Sequence, residues 1–266
     1  MILLKTKNLM KAFGGLKAIN KIDFELKQGE IRGVIGPNGS GKSTFFNLVS
    51  GVYDPDPGSY IEFDGQDITN KTPHEIGALG LARTFQLLRL YQDMSVIDNV
   101  MSGYHIRVPY SFVDSVLGTK KIWNYEKQIK SEMMELLSFV GLADYAEMNA
   151  SELSGGQRRL LVLARAIASK PKLLMLDEPA AGLSPVNVDN LMKIILQLKV
   201  KFGLTLIIIE HILKVVMNTC NTVTVLDHGQ KIAEGSPFKV KDDNAVIEAY
   251  LGKKMNDEEM RIALNS

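Results

Sequence analysis

Apolar and polar residues alternate with a period of two early in the chain and recur at helical spacing later. Ile22, Phe24 and Leu26 alternate with Asp23, Glu25 and Lys27, the spacing of a half-buried strand, and Gln28-Gly29 ends it in a turn. Ile31 to Ile35 predicts a second, short strand closed by Gly36-Pro37-Asn38-Gly39. Ser43 to Ser50 then reads as helix, broken by Asp54-Pro55-Asp56-Pro57-Gly58. Tyr60 to Phe63 predicts another alternating strand. From Val96 to Gly141, Leu, Met, Glu and Lys recur at helical spacing, with an irregular stretch over 105–120. Beyond Ser154 the pattern alternates: helices over Gly155–Ser169, Pro185–Phe202 and His211–Asn218, strands over Lys172–Leu176 and Leu204–Ile209. Shorter strands follow near Thr222–Leu226 and Lys231–Ala233. Fully apolar strands between helices predict a parallel sheet covered on both faces. The expected arrangement is an antiparallel β portion first, a helical insert in the middle, and an α/β core drawn from both ends.

Composition narrows the class. The 266 residues are 45% hydrophobic and 23% charged, too apolar for a disordered chain and sufficient for a large core. Thirty-one Lys and Arg against 30 Asp and Glu leave a formal charge of +1, so nothing points to nucleic acid or to an anionic surface. Cys220 is the single cysteine, which forbids an internal disulfide. Apolar runs such as Leu204–Ile209 are far short of the roughly 20 residues of a membrane helix. The opening Met1-Ile2-Leu3-Leu4-Lys5 is too short an apolar stretch for a signal peptide. A cytoplasmic globular protein is expected.

Three motifs carry chemistry. Gly36-Pro37-Asn38-Gly39-Ser40-Gly41-Lys42-Ser43 fits G-x-x-x-x-G-K-[ST] between a strand and a helix, and Thr44 continues it. Glycines there let backbone N–H groups turn inward around an anion at a helix N-terminus. Lys42 can reach the terminal phosphates of a nucleotide, with its stem expected outside the core, and the Ser43 hydroxyl can ligate Mg²⁺. Lys172–Leu176 is an apolar strand ending in Asp177-Glu178. At the carboxyl edge of a parallel sheet this places Asp177 to hold Mg²⁺ and Glu178 to polarise an attacking water. Leu153-Ser154-Gly155-Gly156-Gln157 opens a long helix, giving a second N-terminus expected to offer bare N–H groups to phosphate. One cradle suffices for one nucleotide, so Ser154, Gly155, Gly156 and Gln157 are expected to serve a nucleotide held by another subunit.

With Leu153–Gln157 in place, the sequence resembles the ATP-binding subunits of ABC transporters over nearly its whole length. The resemblance implies a P-loop NTPase core of the RecA-like kind, over about 1–87 and 164–252 with an antiparallel β subdomain. It further implies a helical subdomain over about 88–163 and an extension over 253–266. It implies that Gln86, in Arg83-Thr84-Phe85-Gln86, contacts Mg²⁺ and the attacking water, and that His211, after Ile209-Glu210, senses the γ-phosphate. Phe13 falls where the family stacks an aromatic on adenine; a core phenylalanine at a strand end would read the same. Ser184 stands where many members carry Asp. Gly80–Gln86, Met94–Val100, Asp177–Leu183 and Glu248–Gly252 look like the LivG-type ATPases of branched-chain amino acid importers. The implied protein hydrolyses ATP, with Mg²⁺, as a peripheral subunit on the cytoplasmic face of the inner membrane. Its expected partners are a second ATPase subunit, integral membrane permeases and, indirectly, a solute-binding protein, with no nucleic acid. The segment Gln86–Met94 is the expected permease contact, unless its apolar residues simply pack under the helical insert. The ATPase of lipopolysaccharide export has a similar motif set and is the alternative within the class; against a non-transport ABC ATPase stand the single cysteine, the 266 residues and the single copy of each motif.

Overall fold

The computed structural model describes residues 1–84, 90–104 and 120–251; of residues 120–126 and 251 only the backbone path is described. It begins with a long hairpin, β1 (Ile2–Phe13) and β2 (Leu16–Lys27), followed by β3 (Ile31–Ile35) and helix α1 (Lys42–Val49). The alternating strand expected from Ile22 thus starts at Leu16, because pairing with β1 carries it to Phe13↔Leu16. Next come β4 (Tyr60–Phe63), β5 (Gln66–Asp67), α2 (Pro73–Leu79) and β6 (Leu81–Arg83). The middle of the chain contributes α3 (Val96–Tyr104), α4 (Lys120–Val140) and α5 (Gly155–Ala168). The last part alternates: β7 (Leu173–Asp177), α6 (Pro185–Phe202), β8 (Thr205–Ile209), α7 (Leu213–Thr219), β9 (Thr222–Asp227), β10 (Gln230–Gly235), α8 (Pro237–Lys241) and α9 (Asn244–Leu251).

Two sheets result. One is antiparallel in the order β2-β1-β4-β5; the other runs β10-β9-β3-β8-β7-β6, parallel except for the β10 edge. In the central strands every residue is buried, and alternation decides which layer each one joins. Val34, Leu173, Met175, Ile207 and Ile209 face α1 and the antiparallel sheet, packing with Phe24, Phe45 and Phe46. Ile35, Leu174, Leu176, Leu206 and Ile208 face the other way, against α5 and α6. A continuous apolar run is what such a strand needs, because both its faces are interior. None of the described helices is long and apolar enough to cross a membrane.

Helix α3 is locked to α5 by a close approach. A Cβ on Gly103 would lie 2.1 Å from the carbonyl oxygen of Arg165, a distance no side chain tolerates. Gly103→Ala is therefore expected to lower stability by about 1–3 kcal/mol, the usual cost of overpacking, read as a lower denaturation midpoint with unchanged slope. An unaltered midpoint would show that the two helices can part without cost.

Candidate functional site

Strand β3 delivers the phosphate loop. Gly36 leaves it at φ 152°, and a Cβ there would sit 2.1 Å from the Leu226 carbonyl oxygen, so only glycine can make the turn. The loop then closes on itself, with Ser40 N–H donating to Pro37 O at 3.2 Å. Helix α1 starts on Gly41 with no side-chain cap and no acidic residue in its first turn. Its first N–H groups thus point at a cavity of about 410 Å³, lined among others by Asn38, Gly39, Lys42, Ser43 and Thr44. This is an uncapped helix N-terminus aimed into a pocket, the arrangement that binds phosphate.

Lys42 departs from expectation. Its side chain is only 6% exposed, and Nζ donates to the Gly36 and Pro37 carbonyls at 2.8 and 2.9 Å. Burial lowers its pKa from the ordinary lysine value, and the nearby charges of Glu178 and Asp177 work against that shift. The residue is buried without belonging to either apolar core cluster: it lines the cavity, with its amine folded back onto its own loop.

At the neighbouring strand end, Asp177 and Glu178 part company. Asp177 forms an ion pair with Arg83 at 2.9 Å, both side chains almost fully buried. Arg83 also donates to Asn47 Oδ1 at 2.6 Å and Ser50 Oγ at 3.2 Å, which ties Asp177 to α1. The sequence offers no sign of this: β6 is three residues long and lies beside β7 through Arg83↔Met175, too short to show a period. Glu178 takes a left-handed φ of 48°, a sparsely populated conformation for such a residue. Its N–H donates to Ile209 O at 2.9 Å, and its Oε1 lies 3.1 Å from His211 Nε2. The two side chains expected to handle water and γ-phosphate thus touch at the pocket mouth, and both line it.

Phe13 stands at the tip of the β1–β2 hairpin, 45% exposed, edge-on to Tyr53 with ring centroids 5.4 Å apart. It lines the same cavity and is not a core residue. His228, which no motif singled out, lines it too.

Ser154–Gln157 is absent from that lining. Ser154 caps α5 in a reciprocal capping box: its Oγ accepts from Gln157 N–H at 3.4 Å, and Gln157 Oε1 accepts from Ser154 N–H at 2.9 Å. The N–H groups expected to be bare are therefore in part satisfied. Ser184 caps α6 through a single bond, its Oγ accepting from Asn187 N–H at 3.4 Å, a role that serine and aspartate fill about equally well. Gln86, with the rest of residues 85–89, lies outside the described residues. As for Mg²⁺, Ser43 and Asp177 present a hydroxyl and a carboxylate, hard oxygen donors that suit it. No group of three or more His, Cys, Asp or Glu among the described residues could cage a metal alone. An ion whose remaining ligands are phosphate and water fits such a donor set.

A family model described as ABC transporter matches residues 19–181. The chain is 40% identical over 262 residues to a probable branched-chain amino acid transport ATP-binding protein, LivG, of Archaeoglobus fulgidus, covering 97% of this chain and 99% of that one. It is 35% identical over 251 residues to the high-affinity branched-chain amino acid transport ATP-binding protein BraF of Pseudomonas aeruginosa, covering 94% and 98%. Among solved structures, the ADP conformation of MJ1267, an ATP-binding cassette of an ABC transporter, aligns with TM-score 0.82 and 36% identity over 95% of this chain and all of that one.

Lys42→Ala removes the one cation of the loop. With a charge-assisted hydrogen bond of about 1.5–3 kcal/mol lost, ATP binding should weaken by roughly 10- to 150-fold, measured by calorimetry on the folded variant. Undiminished affinity would overturn the phosphate-loop assignment.

Proposed function

Because the chain belongs to the ABC transporter family and is the ATPase subunit of such a transporter, we propose that it powers the uptake of branched-chain, hydrophobic amino acids through partner permeases. What supports the substrate is that relatives 35% and 40% identical over almost the entire chain are described as branched-chain amino acid transport proteins. What carries the catalytic assignment is the Glu178–His211 contact at the mouth of the phosphate loop.

ATP enters with its phosphates on the N–H groups of Gly39–Thr44 and its adenine on the ring of Phe13. Lys42 exchanges the Gly36 and Pro37 carbonyls for the β- and γ-phosphates. Ser43, Asp177 and, from the family resemblance, Gln86 would hold Mg²⁺, which when bound neutralises charge on the phosphates. Glu178 accepts a proton from the attacking water. His211 holds the Glu178 carboxylate in place and faces the terminal phosphate. Ser154–Gln157, remote from this pocket, grips the nucleotide of a second ATPase chain in a head-to-tail pair, and the phosphate competes there with the capping box. In this reading about 88–163 form the helical subdomain and about 1–87 with 164–252 the β subdomain and α/β core, α5 (Gly155–Ala168) running across the boundary between them.

The permeases dock beside the site. A cavity of about 650 Å³ opens between α2, α3, α5 and β6, lined by Ile76, Leu81, Leu90, Tyr91, Val162 and Arg165. Tyr91 is 55% exposed beneath the Arg165 guanidinium, which lies 5.8 Å from its ring. Buried Asn99 fixes that turn, accepting from Tyr91 N–H and donating to Tyr91 O and Met94 O. An apolar, shaped recess next to Arg83 and Asp177 suits a permease segment whose movement is to follow nucleotide binding. The protein works as a peripheral subunit at the cytoplasmic face of the membrane.

Four outcomes are expected. With the permeases reconstituted, binding protein loaded with leucine should stimulate hydrolysis; absence of stimulation by any branched-chain amino acid would overturn the substrate. Tyr91→Asp should abolish assembly of the complex while intrinsic ATPase activity persists, and a normally assembled complex would sink the docking surface. Glu178→Gln, nearly isosteric, should slow hydrolysis about 10²–10⁴-fold by removing the base and trap an ATP-bound dimer, seen by size-exclusion with light scattering. Adding Ser154→Arg should abolish that dimer. A Glu178→Gln chain that stays monomeric at saturating ATP, both alone and mixed with the candidate partner ATPase, would contradict the two-chain arrangement.

A further inference from the structure

One buried carboxylate takes no part in the steps above. Glu210, between β8 and His211, is 2% exposed, and among the described residues no cation forms an ion pair with it. Its hydrogen-bond partners among the described residues are all backbone amides. Oε1 accepts from Ala180 N–H at 2.7 Å, and Oε2 accepts from His211 N–H at 3.1 Å and Ile212 N–H at 3.3 Å. Burial pushes its carboxyl up, the amides of Ala180, Ile212 and His211 pull it back, and the like charge of Glu178 pushes it further. An uncompensated buried charge is costly, and packing alone would be served by an apolar side chain. What only a two-oxygen acceptor achieves here is a bridge. One oxygen holds the loop that follows Glu178 and runs to the Ser184 cap; the other holds the backbone that carries His211.

We infer that Glu210 is a positioning residue for hydrolysis, whose carboxylate clamps the loop of Glu178 to that of His211 and so keeps the two side chains in contact. The inference rests on the reading of Glu178 and His211 as the hydrolytic pair. The clamp also joins the pair to residues 180–184, so a second chain pressing on that loop reaches His211 through two hydrogen bonds rather than through the core.

Glu210→Gln tests this, measured on the full chain with its partner subunits where hydrolysis needs them. The amide keeps the shape but turns a donor toward an N–H. kcat should fall roughly 10- to 100-fold, the scale of a small misplacement of a reacting group, while KM and the Kd for ATP stay within about twofold, because the phosphate loop is untouched. The His211→Ala background supplies the readout that a merely structural role would not give: there Glu210→Gln should lower kcat less than twofold further, since the contact it guards is already gone. An equal fall in both backgrounds, a parallel loss of ATP affinity, or an unchanged kcat each overturns the inference. Glu210→Thr, which keeps one acceptor oxygen, serves if the glutamine variant does not fold; failure of both to fold makes Glu210 structural and overturns it too. Glu178→Gln separates the two readings. If that variant hydrolyses normally, the pair itself is wrong; if it is dead and Glu210→Gln is normal, only the clamp is wrong.

Discussion

Parallel pairing of β3, β8 and β7 is the constraint on which the site depends. Strand β8 lies between the other two, and its Ile209 pairs with Val34 on one side and Asp177 on the other. All three strands therefore stop on one line, and their loops emerge together. Since every residue of these strands is buried, a slip by one position would exchange the two core layers, and the register is held by the whole interior. The Glu178 N–H to Ile209 O bond extends that ladder one residue into the chemistry. A left-handed Glu178 is tolerated because both of its flanks are pinned by strand and core.

Bringing these loops together also gathers like charge. Asp177, Glu178 and Glu210 lie at one sheet edge, and each is stabilised differently. Asp177 has the Arg83 guanidinium, Glu178 has His211, and Glu210 has three backbone amides. The differences are geometric. The buried arginine pair fixes Asp177 against α1, the imidazole contact holds Glu178 beside the pocket that both residues line, and three amides tie Glu210 to the backbone of two loops.

Much of this was legible in the residues. The stretches Lys172–Leu176 and Leu204–Ile209 read as doubly buried strands because Leu173–Leu176 and Leu206–Ile209 are apolar throughout, and the structure places the strands at Leu173–Asp177 and Thr205–Ile209; Gly36–Ser43 carries its conformation in its glycines. The strand ending at Asp177 places Glu178 at the pocket, whereas Phe13 and His211 were assigned from the family resemblance, and all three line one cavity. Other features were not legible, for physical reasons. Strand β6 is too short to have a period, and so Arg83 could not be assigned to Asp177. The role of Glu210 depends on distances to amides of two loops 30 residues apart in sequence for Ala180, which no local pattern records. The inward fold of Lys42 depends on carbonyls that only the turned loop presents. The caps at Ser154 and Ser184 were visible as residue types, but whether a serine keeps its own helix or waits for a phosphate is a matter of geometry.

The inward lysine also braces the turn it belongs to. Its Nζ joins the carbonyls of Gly36 and Pro37, 2.8 and 2.9 Å away, so the residue that ends the glycine-rich loop is tied to the two that open it. The curvature of the loop is thus held by a side chain of the loop itself as well as by the freedom of its glycines.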